Sequence, residues 1–276
     1  MRILDTHLHL VYPDRFTYAW IEGVPALKRP WTREQYFAEA KALGIESALH
    51  MEVDVVAADM FGETGFVTTQ PGIVGAIAAC RPERDDFAAQ IETILAAGNG
   101  KVKGLRRILH EVPDDVSQTD LFAANLRLLA AHNLTFDLCL RADQLHLGAR
   151  LARLVPEVSF VLDHCGNPDI NGLGLDPWRG ALKDIAALPN VAGKVSGIVN
   201  HCDLGWTAET LRPYVEHVIE SFGWDRVVWG SDHPVATVTG GTLTDWVNAA
   251  RDIVRTASED EQAKLFHRNA ERIYRV

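Results

Sequence analysis

The stretch Ile3-Leu4-Asp5-Thr6-His7-Leu8-His9 begins as a short apolar run and closes on two histidines two residues apart. In a strand, residues at that spacing point to the same face. His7 and His9 would therefore leave the strand's C-terminal end side by side. Seven further runs, rich in apolar and often β-branched residues, follow at 47–53, 73–80, 102–108, 135–140, 159–163, 191–196 and 226–230. Stretches of helical period separate most of them, at 33–43, 85–97, 120–132, 144–154, 177–187, 208–222 and 244–256, with a last helix over 258–273. Gly44 and Gly98 are natural helix stops, and Thr207 is a natural N-cap. Eight strands alternating with helices predict a parallel sheet covered on both faces. The fold class is α/β, and a single closed (β/α)8 barrel of the TIM type is expected ahead of an open doubly wound sheet. The 276 residues suit one such barrel, which takes about 250, so residues 1–276 are expected to form one domain.

Bulk composition narrows the function classes. The formal net charge of -10 argues against nucleic-acid binding, which calls for basic patches. No run of about 18 apolar residues suggests a membrane span, and no secretory leader is visible. None of the four cysteines (Cys80, Cys139, Cys165, Cys202) forms a C-x-x-C pair, so neither a thiolate zinc site nor a redox motif is suggested. A cytoplasmic location is the default expectation, and homo-oligomerisation stays open.

The strand ends carry the chemistry. In a barrel of this type the active site lies at the C-terminal ends of the strands. Two imidazoles there form a natural chelate for a divalent transition metal, although an isolated H-x-H also fits two packed histidines. His164 follows the sixth run, in Leu162-Asp163-His164-Cys165-Gly166. Asp232 follows the eighth, in Trp229-Gly230-Ser231-Asp232-His233-Pro234. A carboxylate at that place can bind metal or take a proton from water; a turn or cap aspartate is the plainer alternative. His110, His201 and His233 follow runs four, seven and eight and are within reach of the mouth. His132, His146, His217 and His267 fall on helices and read as solvated or capping. The loop 12–32 is long and aromatic, and such loops are often functional. Trp20 and Trp31 in it would line the mouth or simply pack the loop.

Together with Lys194-Val195-Ser196-Gly197 and the ending Asn269-Ala270-Glu271-Arg272-Ile273-Tyr274, these motifs resemble the amidohydrolase superfamily. The likeness is to its branch of sugar-lactone and dicarboxylate-lactone hydrolases, and it spans essentially the whole chain. The resemblance implies that His7 and His9 are metal ligands with Asp232, that Asp232 activates water, and that His164 binds metal or polarises the carbonyl. It further implies that Lys194 and Arg106 grip substrate, with Glu52 facing the same cavity; Trp20 on the aromatic loop and Arg141 just past the fifth run are the further substrate-binding candidates. Two departures bear on the metal. Strand five offers Asp137 where many members have a histidine, and strand four carries Arg106-Arg107 in place of the metal-bridging lysine. One divalent metal, zinc first among candidates, is therefore expected instead of two, with a metal-free mechanism as the alternative.

The expected activity is opening of a small-molecule lactone, a sugar-acid lactone before a dicarboxylate one, with Asp232 as general base. A superfamily decarboxylase acting on an aromatic or dienoic acid is the second reading. A non-catalytic ligand- or metal-binding barrel is the third.

Overall fold

The structure, a computed structural model, describes residues 1–172, 174–238 and 241–276. Eight parallel strands pair in sequence order: β1 Ile3–Leu8, β2 Ile45–Met51, β3 Ile73–Ala79, β4 Val102–Ile108, β5 Thr135–Cys139, β6 Phe160–Leu162, β7 Val191–Val195 and β8 Val227–Trp229. The ring closes through a parallel bridge between Leu8 and His233. Two backbone bonds of 2.8 Å strengthen that seam, from Asp232 N to His7 O and from His9 N to His233 O. This is the (β/α)8 barrel of the sequence reading.

The helices are α1 Arg33–Ala40, α2 Met60–Thr68, α3 Phe87–Ala97, α4 Asp120–Ala131, α5 Leu145–Leu154, α6 Trp178–Ala186, α7 Ala208–Phe222, α8 Leu243–Ile253, α9 Glu259–Ala263 and α10 Asn269–Tyr274. Their starts follow local chemistry. The side chains of Thr32, Thr207, Thr242 and Ser258 each accept a bond from the backbone N–H of the third helical residue, and their own backbone N–H donates to that residue's side chain, which satisfies two otherwise orphaned backbone donors. A π turn, Lys264–Arg268, fuses α9 and α10 into the single last helix expected from sequence.

Two apolar layers result. The larger lies between strands and helices. The smaller fills the barrel's interior with Leu4, Leu49, Met51, Ile77, Val161 and Val228, closed off by Ala270 and Tyr274 of α10. A third cluster, with Tyr18, Ile21 and Val53, seats the loop 12–32. No helix among the described residues is long and apolar enough to cross a membrane.

The structure departs from the sequence reading in three ways: β2 starts and ends two residues earlier than the predicted 47–53, and two further differences concern α2 and the shorter strands. Helix α2 has no counterpart in that reading, because Gly62, Gly65, Thr64 and Thr68 give Met60–Thr68 poor intrinsic helicity; burial of Met60 and Val67 supplies what propensity lacks. Strands six and eight are shorter than the predicted 159–163 and 226–230. Their last predicted residues leave the ladder to turn the backbone into the site.

Candidate active site

Site residues stand where β6, β7 and β8 give way to turns. His164 and Asp232 both adopt left-handed backbone conformations, with φ of 55° each, unusual for residues with a Cβ. Such strain persists where surrounding structure enforces it, and here two close approaches do so. A Cβ at Gly197 would lie 2.2 Å from His164 Nδ1, and one at Gly230 would lie 2.7 Å from His7 Cβ. Both glycines therefore make room for imidazoles. Asp5 holds the seam. Its carboxylate accepts from Ser231 N (2.8 Å), Ser231 Oγ (2.5 Å), His7 N (3.0 Å) and the Tyr36 hydroxyl (2.5 Å).

His7, His9 and Asp232 converge, with ligand atoms within 4.8 Å of one another. Asp232 Oδ1 lies 3.3 Å from His9 Nε2 and 3.5 Å from His7 Nε2. Its other oxygen accepts the Asn200 amide at 2.6 Å. His9 Nδ1 sits 3.0 Å from the Met51 carbonyl; a carbonyl only accepts, so Nδ1 carries the proton. The His9 Nε2 lone pair then faces a carboxylate oxygen. Two acceptors so placed call for a proton or a cation between them, and a carbonyl behind a ligating histidine is a common support for metal.

The charge balance points the same way. Two buried cations, Arg106 and Lys194, stand among four buried carboxylates, Glu52, Asp137, Asp163 and Asp232. The excess negative charge suits a divalent ion. The residues present thus fit a metal held by His7, His9 and Asp232, and His7, Asp163 and His164 form a second, overlapping donor set.

Burial lowers the pKa of His7 well below its ordinary value and brings His164 down to about 4, so both rings are neutral near pH 7. Burial alone would raise Asp232; His164, His9 and His7 outweigh it and hold the carboxyl below the usual carboxylate range. The Ser196 hydroxyl accepts the His164 amide at 3.3 Å and lies 3.0 Å from its Nδ1. If the hydroxyl proton goes to Nδ1, the Nε2–H of His164 is left as a donor.

A cavity of about 780 Å³ opens at the strand ends, bordered by His9, Arg106, His164 and Asp232. Trp20, Arg141, His110 and His201 also border it. Trp20 is anchored by its indole N–H on the Val53 carbonyl at 2.8 Å. Other assignments from sequence need correcting. Lys194, read as a substrate grip, is wholly enclosed, 2.5 Å from Asp137 and 2.9 Å from Asp163. Glu52 is likewise turned away from the cavity; it pairs with Arg106 at 2.7 Å and accepts the Asp54 amide. Asp137 is committed to Lys194 and to the Tyr274 hydroxyl at 3.0 Å. His233 does not border the cavity; it is buried against Trp31 and Tyr36. His217 is not solvated but buried, its Nε2 3.1 Å from the Arg179 carbonyl. Sequence reasoning also missed Asp5, Asp163 and Asn200.

Comparison with known proteins agrees with this architecture. The chain is 31% identical to the uncharacterised protein y4mH of Sinorhizobium fredii, over 99% of this chain and 98% of that one. It is 30% identical to an L-fucono-1,5-lactonase of Burkholderia multivorans, over 97% and 88% of the two chains. A crystal structure of an amidohydrolase from B. multivorans with bound zinc superposes with a TM-score of 0.89 at 23% identity, covering both chains completely. The model of the family described as "Amidohydrolase" matches residues 4–276, and the chain belongs to that family.

Proposed function

We propose that this protein hydrolyses a lactone, with Asp232 as the general base. The observation that carries the reading is the convergence of Asp232 with His7 and His9, beside a cavity that His9, His164 and Asp232 border, in a chain 30% identical to an L-fucono-1,5-lactonase.

Asp232 is suited to the role because it stays ionised and its two oxygens are differentiated. Oδ1 faces the histidines, and Oδ2 is held by Asn200. In the proposed reaction the carboxylate takes a proton from water as the water oxygen attacks the lactone carbonyl. The Nε2–H of His164 donates to the developing oxyanion. The ring C–O bond then breaks, and the proton on Asp232 passes to the departing ring oxygen. His7, His9 and Asp232 would hold a divalent metal, zinc being favoured by the zinc in the structurally similar B. multivorans protein. When bound, such an ion supplies Lewis-acid stabilisation of negative charge.

A sugar lactone is favoured over a dicarboxylate lactone. Both arginines bordering the cavity are already matched: Arg106 to Glu52, and Arg141 to Asp143 at 3.0 Å and Asp114 at 3.5 Å. The cavity wall also includes Asp54, Glu111 and Asp169, which would repel a dianion. The four cysteines are free and buried, which suits the cytoplasm.

The test is a screen of sugar-acid lactones alongside a pyrone dicarboxylate and aromatic acids, following acid release and CO₂. Hydrolysis of a sugar lactone is expected, with Asp232→Asn lowering kcat/KM by roughly 10²–10⁴-fold in a folded protein. Near-normal activity in folded Asp232→Asn would overturn the mechanism. CO₂ release from an aromatic acid would favour decarboxylation instead.

A further inference from the structure

The His7 ring has one nitrogen on each side of the site. Nε2 faces Asp232, while Nδ1 lies 3.5 Å from Asp163. Asp163 is fully buried, and neither of its oxygens accepts a well-aligned hydrogen bond among the described residues. Charge holds it instead. Lys194 Nζ is 2.9 Å from Oδ1, and Arg106 Nη1 is 3.5 Å from Oδ2. The same ammonium lies 2.5 Å from Asp137 and 3.4 Å from His7 Nδ1. Lys194 thus sits among two carboxylates and an imidazole nitrogen, a set that would otherwise suit a metal ion. His7, Asp163 and His164 are already within bonding reach of one common ion.

We propose that the Lys194 ammonium is a built-in cation standing where a second metal ion would bind, so that the site takes one metal and not two. An ammonium is a compact point charge on a flexible stem, able to settle between Asp137 and Asp163. Once there, it fills the pocket and repels a further cation. The second site is therefore latent, closed by one side chain. The proposal rests on the reading of His7, His9 and Asp232 as the primary metal site.

The test counts metal. The parent, Lys194→Ala and Lys194→Met are purified, dialysed against zinc and then freed of excess, and zinc per chain is measured by elemental mass spectrometry. Thermal unfolding is followed with and without zinc. The parent is expected to hold one ion, and Lys194→Ala two, a doubling of metal content accompanied by a larger zinc-dependent rise in Tm. Lys194→Met, which fills the space without charge, is expected to hold no more than the parent. Folded Lys194→Ala holding no more zinc than the parent would overturn the proposal. If the parent holds none and Lys194→Ala holds one, the built-in cation stands and the primary-site reading falls. Should Lys194→Ala fail to fold, Asp137→Asn/Lys194→Ala relieves one negative charge and keeps His7, Asp163 and His164. It too is expected to gain one ion, and no gain there overturns the proposal.

Discussion

Arg106→Met separates the substrate grip expected from sequence from the internal counterion role that the structure gives this arginine. The Arg106 and Glu52 side chains are 4% and 2% exposed, and Nε lies 2.7 Å from Oε1. A second nitrogen donates to the Glu52 carbonyl at 2.8 Å, and a third stands 3.5 Å from Asp163. Removing the guanidinium leaves Glu52 buried without its counterion and takes one cation from Asp163. Breaking a buried pair from one side costs about 3–5 kcal/mol. At roughly 2–4 °C per kcal/mol for a chain of this size, Tm should fall by about 6–20 °C. Arg106→Met/Glu52→Gln removes both charges, and the amide oxygen introduced by Glu52→Gln would still accept the Asp54 amide that the carboxylate accepts at 2.8 Å. The double variant should recover most of the loss, because a matched pair replaced as a unit is often near neutral. Urea unfolding and calorimetry of the parent, both single variants and the double variant, in chelator, close the thermodynamic cycle. A loss under about 1 kcal/mol in Arg106→Met, or a double variant as unstable as the two singles summed, would refute the counterion role.

Three further outcomes follow from the same geometry. Asp5→Asn would turn amide hydrogens toward the hydroxyls and N–H groups that Asp5 now accepts; a loss of about 1–3 kcal/mol, read by urea unfolding, is expected along with weaker activity, since Ser231 precedes Asp232. Burial brings His50 down to about 3 from 6.5, so between those values the unfolded chain binds the proton that the native chain refuses. This contribution to stability is intact above pH 6.5 and is lost as pH falls toward 3, at up to about 1.4 kcal/mol per pH unit; unfolding of His50→Leu from pH 7 to 4 should show a slope shallower by one proton. Trp20→Ala should raise KM more than it lowers kcat, because Trp20 borders the cavity away from the Asp232 oxygens; steady-state kinetics on the sugar lactone found by screening decide this.

How far these features can be read from the sequence depends on where each side chain sits. His7, His9, His164 and Asp232 close apolar runs, so their place at a barrel mouth follows from strand polarity alone. The counterions beneath them are harder. Lys194 and Asp137 lie on β7 and β5, two strands separated by β6 and 57 residues apart in sequence, and nothing local in either strand names the other. Asp5 shows a different limit. Strict alternation would put it on the same face as His7, but the β1–β2 register shifts between Asp5 and Leu8. As a result Asp5 meets Tyr36 of α1, while His7 enters the barrel. Helix α2 stays hidden because its glycines and threonines obscure a segment that burial alone stabilises.

The seam between the first and last strands has a further consequence for how the protein comes into being. His7 and His9 are made before their partner Asp232, which follows more than 220 residues later. The bonds that close the ring, Asp232 N to His7 O and His9 N to His233 O, come from the same residues that build the site. Barrel closure and assembly of the proposed catalytic centre are therefore one event. A nascent or half-folded barrel presents a pair of histidines but no finished centre, so an incomplete chain is kept from premature chemistry by topology alone.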